Sequence, residues 1–473
     1  MLYLLAVMGL VLILYFFRAA VLLLPIWTTL TPKALLLVDT PSIPAISLYK
    51  FYCLALIGSY FLRVMCHRKR KVYKKPFSRA FVALLVPSII SVVLNITSNN
   101  AGILTLTAFF IEVIMPTTIF CHYLSQAPLD KLHSLVKKYI VFYCALAIYG
   151  TTCYLIGHNP YIEFIQATNH TDRILAQTYE ETLRGARAQG TISHPITYGA
   201  LLVITLLTYL TIKLNKRRFA IADYIKIAAA TAIIVTGILF TNSRSPLILF
   251  IVPVVIFATM QGFVKAFKSV LGITLVFVIA FSASEVVRNK TYSVINIFNP
   301  EVGEDMKGSD LAMRGGQLNV ATRYFFESPI WGMGLDATRN IISSGKEPDL
   351  YNSESIIFKL LIDQGALGIL GYALFFIVLY RKTAHHISNI ASKRMYLGTI
   401  IGYIIFIIST GFVDTLQNTI FMLCITYYIF RADRIVTRLN LATQTAQLDK
   451  SQEKQLDPLP TYTNSGAWTR AHP

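Results

Sequence analysis

Apolar stretches of about 20 residues recur along most of this chain, and no other feature restricts the fold as tightly. A hydrocarbon core of roughly 30 Å takes about that many helical residues to cross, and inside it the chain must pair every backbone N–H and C=O itself. The stretches fall near 2–24, 46–64, 78–96, 102–124, 135–157, 195–213, 221–241, 245–262, 266–288, 354–380, 396–413 and 416–430. Because 55% of the 473 residues are hydrophobic and 14% charged, soluble globular classes are excluded. The chain reads as all-α, a polytopic membrane protein of about twelve transmembrane helices with two long loops on one side.

Basic residues orient it. Arg63, Arg68, Lys69, Arg70, Lys71, Lys74, Lys75 and Arg79 follow the second stretch, and alternate connections repeat the bias. They carry Lys213, Lys216, Arg217 and Arg218, then Lys265 and Lys268, then Arg381, Lys382, Lys393 and Arg394, and finally Arg431, Arg434 and Arg438. Those connections are cytoplasmic by the positive-inside rule, and both termini lie with them. The net charge of +19 thus reflects topology and attraction to anionic membrane lipids, about 1 kcal/mol per basic residue near the surface, rather than a nucleic-acid partner. The first stretch has no basic residue before it and no cleavage pattern after Arg18, so it reads as a retained span. Cys53, Cys66, Cys121, Cys144, Cys153 and Cys424 lack CxxC spacing, which points to neither a disulfide framework nor a zinc site.

The regions that follow are N-terminal spans at 1–157, a first long outer loop at 158–194, central spans at 195–288, a second long loop at 289–353, C-terminal spans at 354–430 and a tail at 431–473. Residues 440–473, polar and containing Pro458 and Pro460, read as disordered. Long loops carry function more often than tight ones. In the first, 171–187 reads as an amphipathic helix built on Leu175, Tyr179 and Leu183. In the second, 310–326 reads as a helix with Leu311, Leu318 and Phe325 on its inward side, and Arg314 falls on that side. Arg244 opposes the same rule: it stands in Thr241-Asn242-Ser243-Arg244-Ser245-Pro246 between two apolar stretches, on the non-cytoplasmic side. The GxG at 332–334 follows no soluble strand and reads as a tight turn. The small residues of 363–371 read as a close-packing surface.

Two inward arginines at one membrane face suit a diphosphate, since guanidinium presents a planar fork and keeps its proton. A sugar linked to a lipid diphosphate is a membrane-borne molecule of that kind. Displacement at its anomeric carbon builds charge on the leaving oxygen, which arginines can stabilise where many enzymes use a metal ion. The scattered outer acids show no metal-site spacing, and neither a metal nor a cofactor is expected.

Four segments carry a resemblance. They are Arg187-Ala188-Gln189-Gly190-Thr191-Ile192-Ser193-His194-Pro195; Thr241-Asn242-Ser243-Arg244; Met313-Arg314-Gly315 with Ser328-Pro329-Ile330-Trp331-Gly332-Met333-Gly334; and Tyr351-Asn352-Ser353-Glu354 leading to Gln364-Gly365-Ala366-Leu367-Gly368. In order and sidedness they resemble the O-antigen ligase and polymerase superfamily over roughly residues 180–420. The resemblance implies a metal-independent, inverting glycosyltransferase of GT-C-like type in the bacterial inner membrane. It would take glycan from an undecaprenyl-diphosphate-linked oligosaccharide on the periplasmic side. The acceptor would be another lipid-linked repeat for a polymerase or lipid A core for a ligase. Arg244 and Arg314 match the arginines that hold the donor diphosphate, Arg187 a further basic position, and Asp414, in Ser409-Thr410-Gly411-Phe412-Val413-Asp414, an acidic position that orients an arginine.

One departure bears on mechanism. Ligases of the family carry His-Asn where this chain has Tyr351-Asn352, and that histidine is the acceptor base. Tyrosine, with an ordinary pKa near 10, is a poor base at neutral pH. The substitution turns the reading towards a polymerase and leaves Glu354, Asp336, His194 and Glu347 as substitute bases. The catalytic candidates are therefore Arg244, Arg314, Tyr351 and Glu354; the substrate-binding candidates are Arg187, His194, Arg323, Asn352 and Asp414. A flippase or transporter would instead place charge at mid-membrane, as Glu112 with Pro116 and the Lys359, Asp363 pair could. A scaffold would leave the inward arginines without a purpose.

Overall fold

The computed structural model describes residues 2–33, 35–40, 43–66, 76–97, 99, 101–169, 187–215, 220–260, 311–350, 353–411 and 414–455. The 171–186 part of the expected amphipathic helix, the stretch at 266–288, Tyr351, Asn352 and the tail beyond 455 lie outside those residues. Each of the other eleven apolar stretches falls on helix.

The first stretch is three helices rather than one: α1 (Leu2–Tyr15), α2 (Phe17–Leu22) and α3 (Leu24–Leu30). Pro25, in the first turn of α3, lacks the N–H that would continue α2 without a break. Bonds from Ala20 N to Phe16 O and Trp27 N to Leu23 O keep the pieces in one bent rod. A hairpin, β1 (Leu36–Thr40) with β2 (Ile43–Ser47), leads into α4 (Leu48–Cys66). Next come α5 (Ser78–Leu94), α6 (Ala101–Phe109), a π-helical turn at Phe110–Ile114, α7 (Met115–Ser125), α8 (Leu129–Ile156) and the short α9 (Pro160–Asn169).

The axis of the bundle is α10 (Pro195–Lys213), buried almost throughout. It is apolar all round, the pattern of a helix enclosed by others. Around it stand α8, α11 (Ile221–Phe240), α12 (Arg244–Thr259), α16 (Ile390–Thr410) and α17 (Leu416–Gln455), while α15 (Ile356–Ala384) packs on α5 and α16. Two prolines inside helices are accommodated by glycines opposite. A Cβ on Gly371 of α15 would meet Ala83 O of α5 at 2.5 Å and Pro87 at 2.8 Å, and one on Gly402 of α16 would meet Pro253 of α12 at 2.9 Å. Such close approach is how helices associate where lipid supplies no hydrophobic drive. All six cysteines are free.

The second long loop carries α13 (Leu311–Glu327) and α14 (Ala337–Ser344). The helix expected at 310–326 is present, but its inward face differs. Gln317, Val320 and Ala321 are buried, whereas Leu318 is exposed. At its C-terminal end, 440–455 continues α17 instead of forming a disordered tail. Its Ala, Leu, Gln, Lys and Glu residues are good helix formers, with no glycine or proline before Pro458.

Candidate active site at the arginine-bearing end

One end of the bundle gathers the starts of α4, α10, α12, α15 and α17 with the ends of α3, α8, α11 and α16. Its first feature is the turn from α11 to α12. Asn242 takes a left-handed conformation there, φ 51°, which asparagine tolerates better than most residues. Arg187 closes the turn from outside: its Nη2 donates to Asn242 O at 2.9 Å and to Ser243 Oγ at 3.3 Å. Arg244 then opens α12, half-buried, at a helix N-terminus, whose N–H groups and dipole favour an anion. His194 works one helix away as a cap. Its Nδ1 accepts the N–H of Ile196 at 3.2 Å and starts α10.

Arg314 reaches the same end from α13. Its Nη2 donates to Ser409 O, at the end of α16, at 2.9 Å and stands 3.6 Å from Glu354 Oε2. One helical turn on, Gln317 Oε1 accepts the N–H of Glu354 at 3.2 Å and fixes the strand of chain that bears the carboxylate. This meeting of α13, α15 and α16 depends on Gly411. It has φ 64°, and a Cβ there would meet Ser353 O at 2.4 Å. Arg314 thus reaches inward to Ser409 O beside the buried Gln317, whereas Leu318, one turn on along nearly the same line of the helix, is exposed.

Arg244 and Arg314 come to similar height by way of α12 and α16, which pack side by side. A Cβ on Gly402 would meet Leu249 O at 3.2 Å. From that level Arg244 is five residues along α12 and Ser409 seven along α16, about 7.5 and 10.5 Å at helical rise. Arg323 is elsewhere. Nine residues beyond Arg314, it pairs with Glu347, whose Oε1 also accepts from Tyr324 Oη at 3.2 Å.

A loop inserted into a helix holds α13 in place. At Gly365, φ 60°, α15 breaks; Ala366 N donates to Pro329 O at 2.9 Å and Leu367 N to Ile330 O at 3.1 Å, while Met333 N returns to Ile362 O at 2.8 Å. The Pro329-Ile330-Trp331-Gly332-Met333-Gly334 motif therefore replaces the helix's own bonds. The expected tight turn is here, and the small residues around 365 admit this loop in addition to the neighbouring helix. Asp363 does not pair with Lys359. Its Oδ1 accepts Thr338 N and Oγ1, both at 2.7 Å, and its Oδ2 accepts Asp336 N at 3.2 Å, so it serves the start of α14. Lys359 pairs instead with Asp336 at 3.5 Å.

Lys33 was not foreseen. From the turn after α3 its Nζ lies 3.2 Å from Asp414 Oδ1 and 3.5 Å from Glu112 Oε2. A single lysine in a turn gives no sequence signal when its nearer partner lies 381 residues away. Glu112, twelve residues into the 25-residue Ala101–Ser125 span, is thus joined to Asp414 through Lys33. Tyr49, second residue of α4, donates to its carbonyl at 3.1 Å. The Lys33 ammonium holds the Asp414 carboxyl below its ordinary range, and Asp414 in turn, more than Glu112, raises the lysine above its own. Tyr351 and Asn352 lie outside the described residues, next to Ser353.

No curated protein matches the chain. Residues 227–373, from α11 to the middle of α15 and including Arg244, Arg314 and Glu354, match the family described as O-antigen ligase, which supports the resemblance to the O-antigen ligase and polymerase superfamily.

Proposed function

We propose that the protein is a polymerase of a surface polysaccharide: an inverting, metal-independent glycosyltransferase that takes glycan from undecaprenyl diphosphate on the periplasmic face and adds it to another lipid-linked repeat. The observation that carries the reading is Arg314, held by a backbone carbonyl and only loosely by Glu354, at the end of the bundle where Arg244 opens α12. An arriving diphosphate adds charge-assisted bonds to Arg314 without evicting a tight carboxylate partner, and Arg244 with the start of α12 adds positive charge at the same end. As the anomeric bond lengthens, negative charge grows on the leaving oxygen, and donors fixed beforehand cost no reorganisation. Arg187 supports this indirectly, by bracing the turn that presents Arg244. The positive-inside pattern, which assigns the opposite end to the cytoplasm, supports the periplasmic side for the site.

The ligase reading keeps the donor and changes the acceptor to lipid A core. The description of the matching family favours it, whereas Tyr351 in place of histidine favours the polymerase. A deletion strain separates them. Surface lipopolysaccharide with a single repeat, or loss of a capsule or exopolysaccharide, is the expected outcome. Bare core with accumulated lipid-linked polymer would establish the ligase instead. Purified protein in liposomes tests the class as a whole: glycan should pass between lipid-linked molecules without an ion gradient. Passage of intact lipid across the bilayer with no transfer would overturn the enzyme reading in favour of a flippase.

A further inference from the structure

We propose that Lys33 is a positioning residue for the transfer reaction and that the residue it positions, Asp414, is the carboxylate that receives the acceptor hydroxyl proton. This rests on the glycosyl-transfer reading. Lys33 belongs to the N-terminal third, outside the segment matched to the family. It nevertheless enters the site, with its ammonium between two carboxylates at 3.2 and 3.5 Å.

A base must be open to the incoming hydroxyl. The Asp414 side chain is 58% exposed, against 9% to 21% for Asp336, Glu112, Glu347 and Glu354. All five carboxylates have a partner, Asp414 and Glu112 with Lys33, Asp336 with Lys359 and Thr105, Glu347 with Arg323 and Tyr324 and Glu354 with Arg314, so exposure is what sets Asp414 apart. His194 spends Nδ1 on its cap. Asp414 is joined to the arginine site by the chain itself. Ser409, which accepts from Arg314, lies five residues earlier, and Gly411 between them packs on the 353–355 backbone.

In an inverting displacement a carboxylate base works on the face opposite the leaving group. The acceptor oxygen bonds to the anomeric carbon while the bond to the diphosphate oxygen breaks. The electron pair departs with the diphosphate, held by the arginines. The hydroxyl proton passes to Asp414 and from there to solvent, which completes the balance.

The charged and titratable groups facing Asp414 are Lys33 from the α3–β1 turn, Lys359 from α15, His194 before α10 and Tyr403 from α16; Glu112 acts on it through Lys33. The base works only when ionised, so the rate falls as pH drops through its pKa. Removing Lys33 raises that pKa and moves the acidic limb of the rate profile to higher pH. Removing the charge of Glu112 leaves Lys33 to Asp414 alone and moves the limb to lower pH. A purely structural role for Lys33 predicts no such opposed shifts.

The experiment measures transfer between lipid-linked donor and acceptor by purified full-length protein in liposomes, as a function of pH. Lys33→Met should move the acidic limb up by about one unit or more, Lys33→Arg should restore it, and Glu112→Gln should move it down. Asp414→Asn should lower kcat by about 10²-fold or more while the donor KM holds. Equal loss at every pH in Lys33→Met, or an Asp414→Asn protein with the parent rate, would overturn the inference. If Lys33→Met fails to accumulate in the membrane, the direction of the Glu112→Gln shift decides. Arg314→Ala in the same assay distinguishes the two failures. A parent protein that transfers no glycan sinks the glycosyl-transfer reading, while parent transfer that Arg314→Ala abolishes and Asp414→Asn leaves unaffected sinks only the role of Lys33 and Asp414.

Discussion

The two ends of α13 carry one arginine each and hold them in opposite ways. Arg314 donates to a carbonyl at the end of α16, with its carboxylate partner 3.6 Å off. Arg323, about 13.5 Å further along at helical rise, is closed tightly onto Glu347 and lies 5.5 Å from the ring of Tyr324. An anion reaching Arg323 must displace a carboxylate, whereas one reaching Arg314 adds to bonds that remain. The contrast shows that positive charge on an outer loop does not define a site. What counts is how much of the arginine's binding capacity the protein has already spent.

The largest effect that tests this contrast is loss of Arg314. Arg314→Ala should reduce transfer by about 10²- to 10³-fold, the usual consequence of removing one preorganised donor from a developing oxyanion. Arg314→Lys should recover little, because a point charge cannot reach both Ser409 O and a phosphate fork. Rates from single-turnover assays on protein of matched membrane abundance make the measurement.

Second in size is the strap that fixes α13 to α15. Gly332 has φ 72°, and a Cβ there would meet Gln364 N at 2.4 Å and Asp363 C at 2.5 Å. Gly332→Ala should destabilise the protein by about 2 to 5 kcal/mol, combining left-handed strain with overpacking against a backbone that cannot give way. Thermal unfolding in detergent and membrane abundance would both register it. An unchanged melting temperature would mean that α13 is held by contacts other than the inserted loop.

Glu354→Gln comes third. It removes the charge opposite Arg314 but keeps the amide shape and the backbone N–H that Gln317 accepts. A change of about tenfold in donor KM, with a smaller change in kcat, is expected if Glu354 orients the arginine rather than taking a proton. A loss confined to kcat would make Glu354 the base and move that role away from Asp414.

Much of this arrangement was legible in the sequence, for a physical reason. Helices that cross hydrocarbon must satisfy their own backbone, so hydropathy alone located them, and the positive-inside bias placed Arg244 and Arg314 together as exceptions. The inward face of α13 differs from the expectation that its apolar residues face the interior. Here polar contacts decide the face: Arg314 bonds to Ser409 O and Gln317 to the N–H of Glu354, while Leu318 is exposed. The break at Gly365 and the Lys33, Glu112, Asp414 cluster were not legible, since each is made by segments far apart in the chain that meet only in the folded bundle. The π-helical turn that carries Glu112 likewise leaves no periodic signature in so uniformly apolar a stretch.

The smallest predicted effect is the one that most directly tests the contrast between the two arginines. Arg323→Ala should leave transfer within about twofold of the parent, since Arg323 is exposed, its ion pair contributes little and Glu347 keeps its bond from Tyr324. The informative companion is Glu347→Gln, which frees Arg323 of its carboxylate. If capacity left unspent is what makes an arginine functional, this variant should acquire weak affinity for a lipid diphosphate at the far end of α13, measurable as competitive loss of donor at the true site. Unaltered donor binding in Glu347→Gln would indicate that position beside α12 and α16, and not spare capacity alone, distinguishes Arg314. In that case Arg244 and Arg314 should act as a single unit, and the double variant should be no slower than Arg314→Ala by itself.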